Sequence, residues 1–298
     1  KMYEDFDRET LALPVLTGRK PDHERFAGAL YTLTTEALAR DGKAIQAGTS
    51  HNLGQGFSEA YNVSFLDAEG KRQRPWMTSW GVSTRLIGTV LVVHGDEKGL
   101  RLPPGLAPIQ AVVVPIYKSE AEKNAVLEEA AKLKDALEPA VRIRVDDRED
   151  KSPGFKFNEW EVKGVPLRLE LGPKDLEKKQ VTLVRRDTGV KSPLPLSSCA
   201  PATFSSLFTE VHDNLYGQAK AFMERHTTEA GTLDQLQKTV DGEGGFVWAP
   251  WDGTVESAEA VKRKTKATIR LLGVKKAAGK DLVSGEPAKH MALYAKAY

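Results

Sequence analysis

Two neighbouring stretches decide how this chain is read: Gln46-Ala47-Gly48-Thr49-Ser50-His51 and Thr78-Ser79-Trp80-Gly81-Val82-Ser83-Thr84-Arg85. In the first, Thr49 and His51 are two apart and share a strand face, whereas Gln46 is out of phase with them. A bulge at Ala47-Gly48 would return Gln46 to that face, and glycine inside a strand is where bulges are expected. The second stretch passes from a strand over residues 77–80 into a helix over about residues 84–94, with Ser83 as N-cap and Gly95 as the stop. Arg85 then falls in the first turn, where a cation meets the positive end of the helix dipole, a placement that makes sense beside an anionic ligand. Taken singly, His51 reads more plainly as a hydrogen-bonded structural histidine and Arg85 as a solvated arginine. Their combination is what points to chemistry.

Working outward, 298 residues with 40% hydrophobic content can build the cores of two or three domains, on a prior of roughly 100 to 200 residues each. Cys199 stands alone, so no intrachain disulfide is expected. There is neither an apolar leader nor an apolar run near membrane-spanning length, so the expectation is a cytoplasmic protein with no membrane contact. A net charge of +2 argues against a nonspecific nucleic-acid coat and leaves any such contact to local patches and shape.

Residues 44–46, 61–66 and 77–80 read as strands, with a polar connection over 67–73. Pro103 and Pro104 mark a boundary near Leu106. Strand and helix then alternate: a strand over 111–114, a helix over 120–137 ending at Pro139, and an alternating run over 141–145. A short helix over 155–163 closed by Gly164 follows, then strands over 165–171 and 182–184. Pro193, Pro195 and Pro201 read as a linker. A long helix over 204–226 leads to a last segment whose strands, over 246–249, 268–271 and 291–294, read as a small sheet with a helix over 257–264.

The two opening stretches resemble the amino-acid pocket and the third, ATP-binding motif of class II prolyl-tRNA synthetases, the type with a C-terminal extension. ERFAGA (24–29), HGDEKGLRLPP (94–104), APIQ (107–110), PGFKFNEWEVKGVPLRLELGPKDL (153–176) and the closing Ala295-Lys296-Ala297-Tyr298 carry the resemblance along nearly the whole chain. It implies an α/β and α+β multidomain fold. Residues 1–106 would be part of an antiparallel-sheet catalytic domain and 107–200 an α/β anticodon-binding domain with a mixed five-stranded sheet. Residues 201–298 would be a linker helix and a small α+β C-terminal domain. The implied activity is ATP-dependent activation of L-proline to prolyl adenylate, with Mg2+ on the phosphates, and transfer to tRNA(Pro). The family's first two motifs are not found in this sequence, so the chain resembles the back part of the enzyme. In the family the second motif supplies an arginine for the α-phosphate, so the chain alone is expected to be inactive; the resemblance also implies that the complete enzyme is a homodimer, as class II synthetases are, through an interface built by the first motif.

Activation brings a carboxylate in line with the α-phosphate, which requires cations and a closely shaped pocket. The resemblance assigns Gln46, Thr49, Ser83 and Arg85 to ATP. It assigns His51, with Phe26 and Trp80 as walls, to proline, and Glu36 to the amino group. His94-Gly95-Asp96 reads as a cap and turn. Two rivals stay open: a noncatalytic tRNA-binding paralogue, and a relative using threonine or glycine. Retention of Gln46, Thr49, His51 and Arg85 speaks against the first, and the TSH-x-LG-x-x-F string, Thr49 to Phe57, against the second.

In the middle region, Phe157, Trp160 and Glu161 share a helical face, and Arg168 and Glu170 point away from the buried set Leu167, Leu169 and Leu171. Stacking surface, donor and acceptor together suit unstacked RNA bases. The resemblance assigns Phe157, Glu161, Arg168 and Asp175 to the two guanines of the proline anticodon, with Lys151, Lys156, Lys163 and Lys174 available for phosphates. The plainer reading is a solvated helix face and a cross-strand ion pair. Near the C-terminus the family commonly holds zinc with two cysteine pairs. The corresponding positions here are Asp252, Ser257, Asp281 and Ser284, a poor tetrahedral zinc set, so no zinc is expected and the packing of Trp248, Pro250 and Trp251 should hold the space.

Overall fold

A computed structural model describes residues 1–138, 140–273 and 277–298. The chain forms two compact units, one of Lys1–Arg8, Leu13–Val93 and Lys220–Tyr298, the other of Glu9–Ala12 and His94–Ala219. In chain order the elements begin with α1 (Met2–Glu9), β1 (Leu16–Arg19), β2 (Tyr31–Leu38), β3 (Ala44–Gly54) and α2 (Gly56–Ala60). A hairpin of β4 (Phe65–Leu66) and β5 (Arg72–Gln73), then β6 (Met77–Gly81) and α3 (Arg85–His94), complete the first stretch. The middle region holds β7 (Ala111–Pro115), α4 (Glu120–Leu137), β8 (Ile143–Val145), α5 (Pro153–Val162), β9 (Leu167–Leu171), α6 (Pro173–Glu177), β10 (Gln180–Arg185) and β11 (Lys191–Pro195). The last holds α7 (Pro201–Arg225), β12 (Thr227–Glu229), α8 (Leu233–Asp241), β13 (Phe246–Trp251), α9 (Val255–Thr265), β14 (Thr268–Leu272) and β15 (His290–Ala295).

The first unit is built on one eight-stranded sheet of order β12-β13-β15-β14-β1-β2-β3-β6, antiparallel except for β12 with β13. The strands of residues 246–295 are therefore not a separate small sheet. β14 pairs with β1 at Arg19↔Leu272, which carries the sheet across from the C-terminal strands to those that bear Gln46, Thr49 and His51. Residues 61–66 also differ from expectation: only Phe65–Leu66 is strand. Asn62 has φ 53, a left-handed conformation that Asn tolerates and that no strand can run through.

The second unit has a five-stranded mixed sheet, β11-β10-β9-β7-β8, in which β8, β7 and β9 run parallel and β10 and β11 antiparallel. Ser119 and Glu122 form a capping box that starts α4. The helix then buries Val126, Ala130, Leu133 and Leu137, one stripe at helical spacing, against Leu167, Leu169, Leu171 and Val113. Pro139, expected to stop this helix, lies outside the described residues. On the opposite sheet face Val112, Val114 and Val165 pack with Trp160 and Phe157 of α5. The proline-rich linker is corrected: Pro193 and Pro195 belong to β11, which pairs with β10 alone, and proline is tolerated on an edge because no further strand needs its missing N–H.

Candidate functional site

The expected bulge is present in β3. β2 pairs with it as Thr35↔Gly48 and then Glu36↔Gln46, so Ala47 is the extra residue. Directly opposed residues in an antiparallel pair share a face. Thr32, Thr34 and Glu36 alternate along β2 and stand opposite His51, Thr49 and Gln46, so the bulge sets the three β3 side chains on one face. All three are half-buried.

Thr32 Oγ1 lies 2.9 Å from His51 Nδ1 and accepts the Phe26 N–H at 3.2 Å. The ring of Phe26 sits 4.9 Å from that of His51 and 6.4 Å from that of Phe57. Phe57 entered the sequence reading only as the end of the TSH-x-LG-x-x-F string and not as a pocket residue; it is held close by Gly28, whose φ of +85° and a Cβ position only 2.9 Å from the Phe57 ring leave no room for a side chain. Burial, and then the nearby Lys20 charge, push the His51 imidazole below its usual range. A neutral ring accepting the Thr32 hydroxyl at Nδ1 would carry its proton on Nε2.

Two of the residues expected to meet proline are placed otherwise. Trp80 pairs with Ser50, so it leaves β6 on the face opposite His51 and is exposed. Glu36 is fully buried, and its carboxylate is held within the chain by Arg270, Thr34 and Lys20. Nothing in the sequence of residues 16–20 or 268–272 flags Lys20 and Arg270 as members of this group. Ser83 and Arg85 are exposed and line a cavity of about 540 Å³ with Ile45, Thr89 and Tyr298, and not with Gln46 or Thr49. Ser83 Oγ accepts the Arg85 N–H at 3.3 Å, which ties the start of α3.

In the second unit the structure joins Phe157 and Arg168 and leaves the other two expected anticodon residues apart. The Arg168 guanidinium stacks 4.6 Å above the Phe157 ring and bonds Glu170 Oε1 at 2.9 Å. Lys191 of β11 reaches Glu170 at 2.9 Å and the Phe157 ring at 5.5 Å, adding two residues that the sequence did not assign to bases. The Arg168–Glu170 pair is thus within one strand, with a lysine that reaches over β10 from β11, and not the simple cross-strand pair of the plainer reading. Glu161 pairs with Lys98 at 3.2 Å, and Asp175 accepts from Gly172 N–H and Thr182 Oγ1, capping α6. Trp160 is buried with its Nε1–H on Asp146, and buried Lys156 donates to the Asp146 carbonyl, so neither offers its polar end to RNA.

Asp252, Ser257, Asp281 and Ser284 do come together. Ser257 and Ser284 donate to the two Asp252 oxygens at 2.8 and 2.7 Å, and Asp281 accepts from the N–H groups of Asp252, Val283 and Ser284. Zinc does not fit this set: it offers no thiolate or imidazole, and its carboxylate oxygens are engaged by internal donors. The space is held by hydrogen bonds in addition to the packing of buried Trp251. No helix among the described residues is long and apolar enough to cross a membrane.

The family model of the anticodon binding domain matches residues 110–202, and that of the prolyl-tRNA synthetase C-terminal domain matches 233–298. A proline–tRNA ligase of Rubrobacter xylanophilus is 50% identical over 298 residues, covering 100% of this chain and 62% of the relative. Those of Christiangramia forsetii and Oceanobacillus iheyensis are each 46% identical, covering 100% and 99% of this chain and 61% of each relative. The chain thus belongs to the class of aminoacyl-tRNA synthetases. Within that class it belongs to the prolyl-tRNA synthetase family, and it spans about three fifths of the length of these relatives.

Proposed function

We propose that the protein containing this chain is a proline–tRNA ligase, which activates L-proline with ATP and Mg2+ and transfers it to tRNA(Pro) as a cytoplasmic homodimer. The observation that carries this reading is the bulge that sets Gln46, Thr49 and His51 on one face. A protein that only bound tRNA would have no use for that device. In this reading residues 1–106 contribute the third motif of the catalytic domain, 107–200 read the anticodon, and 201–298 form the linker helix and C-terminal domain. Gln46 and Thr49 contact ATP. Ser83 and Arg85, in their separate cavity, meet the nucleotide from another side.

His51 and Phe26, with Phe57 behind them, form the proline wall, where an apolar ring surface and a neutral imidazole suit a small cyclic amino acid. Phe157 and Arg168 stack on and donate to a guanine, while Glu161 and Asp175 serve the anticodon only by leaving their present partners. The test is aminoacylation of tRNA by the full-length protein with each amino acid in turn. Charging with proline alone is expected, and charging with threonine or glycine, or with none, would overturn the reading.

A further inference from the structure

The buried carboxylate of Glu36 is the centre of an ion cluster that none of the roles above uses. Its Oε2 is held by Arg270 Nε at 3.0 Å and Nη2 at 2.9 Å. Its Oε1 takes the Thr34 hydroxyl at 2.9 Å and stands 3.6 Å from Lys20 Nζ. Arg270 is 234 residues away in sequence, on β14, in the segment matched by the C-terminal domain of the family. Glu36 stands directly across from Gln46 at the bulge, and its partner Thr34 directly across from Thr49. Lys20 donates its backbone N–H to Thr32, the residue whose hydroxyl meets His51.

Replacing a buried ion pair by apolar residues of similar size is often neutral or stabilising, so stability alone gives little reason for a buried Arg-Glu-Lys cluster. Geometry and charge give better ones. A bulged strand has lost part of its ladder at the bulge, and a two-point grip on the side chain opposite the extra residue restores the register that the ladder no longer enforces. Two cations against one carboxylate also leave a net positive charge beside the face where, on the proposed function, phosphates and a carboxylate must sit.

We infer that Arg270 is a positioning residue for this site: the C-terminal segment reaches across the sheet to clamp Glu36 and thereby sets Gln46 and Thr49 for ATP. The inference rests on the proposed ligase function, and its test separates the two. Proline-dependent exchange of pyrophosphate into ATP is measured on the full-length protein, wild type and Arg270→Lys, with the melting temperature as control. Lysine keeps the charge but replaces the two-point grip with a single ammonium. The expected result is a fall of tenfold or more in kcat/KM, with KM for ATP raised and the melting temperature within a few degrees of wild type. If Arg270→Lys loses stability as well, the triple variant Arg270→Leu, Glu36→Leu, Lys20→Met removes all three charges and leaves no buried charge unpaired; it should recover the melting temperature without recovering exchange or the KM for ATP.

Wild-type exchange in either stable variant would reduce the cluster to a structural ion pair and overturn the inference. A change confined to the KM for proline would overturn it too, because Glu36 would then address the amino acid itself. A wild-type protein that supports no exchange would sink the ligase reading, and this inference with it.

Discussion

The guanidinium of Arg168 lies over the ring of Phe157, 4.6 Å from its centroid, while the same side chain holds Glu170 Oε1 through Nε and Nη2 at 3.1 and 2.9 Å. The stack fixes the plane of the guanidinium, and Glu170 fixes its direction. An arginine prepared in this way pays less conformational entropy when it meets a planar base edge. Arg168→Ala should therefore lower kcat/KM for tRNA charging by about 1 to 3 kcal/mol, the range of one good guanine contact. Adenylate formation should be unchanged. Equal losses in both steps would mean that Arg168 only shields Glu170, which is buried and would be left with Lys191.

Asp7 gives a pH signature. Both of its carboxylate oxygens are buried without a hydrogen bond, and burial raises its pKa from 3.8 to about 6, against a weaker opposing pull from the Thr35 hydroxyl. The folded state therefore binds this proton more tightly than the unfolded state does. Stability from the protonated group is fully present below pH 3.8 and is lost as pH rises through about 6. At about 1.36 kcal/mol per unit, the loss is up to roughly 3 kcal/mol. Asp7→Asn should melt higher than wild type at pH 8 and gain only about half as much at pH 5. A difference in melting temperature that does not change between the two pH values would refute this account.

For His51 the sign is reversed. Burial and then Lys20 depress its pKa, so the neutral ring contributes stability that is present above the ordinary value of 6.5 and is lost as pH falls through the lower folded value. The His51 ring protons, followed by NMR, should titrate below 6.5. In Lys20→Met the midpoint should move up toward that value. A midpoint above it in the wild type would exclude the neutral ring bonded to Thr32.

Local signals in the sequence were sufficient for much of this. The alternation of Thr49 and His51, broken at Ala47-Gly48, foretold the bulge, and α4 occupies residues 120–137 as its period required. A family resemblance foretold the five-stranded mixed sheet. Pairing at long range left no such signal. The β1–β14 junction joins residues more than two hundred positions apart, and the Arg270–Glu36 pair exists only because of it. Prolines 193 and 195 misled because the rule against proline in strands does not hold at an edge. Trp80 was assigned to the His51 wall by motif membership, whereas strand phase puts residue 80 with Ser50 and so on the other face. Trp160, grouped with Phe157 by helical spacing, was claimed by Asp146, a partner outside the helix.

The cluster at Asp252 makes the case about metal. Burial alone would raise the Asp252 carboxyl, but donors on Thr254, Ser284 and Ser257 outweigh it and hold the pKa at about 2. Its contribution is present above pH 3.8 and fades as pH falls toward 2. The serines at the positions corresponding to zinc ligands thus serve as donors to a carboxylate, a role that a bound cation would compete with. Treatment of the protein with a strong chelator should leave its melting temperature unchanged. Asp252→Ala, which takes away the carboxylate that the buried Ser257 hydroxyl and the half-buried Thr254 hydroxyl donate to, should destabilise by about 1 to 3 kcal/mol in all, because Ser284 is exposed and can turn to water. Elemental analysis that found about one zinc per chain, lost together with stability on chelation, would require Asp252 and Asp281 to be ligands and the hydrogen-bonded arrangement to be replaced by a carboxylate metal site.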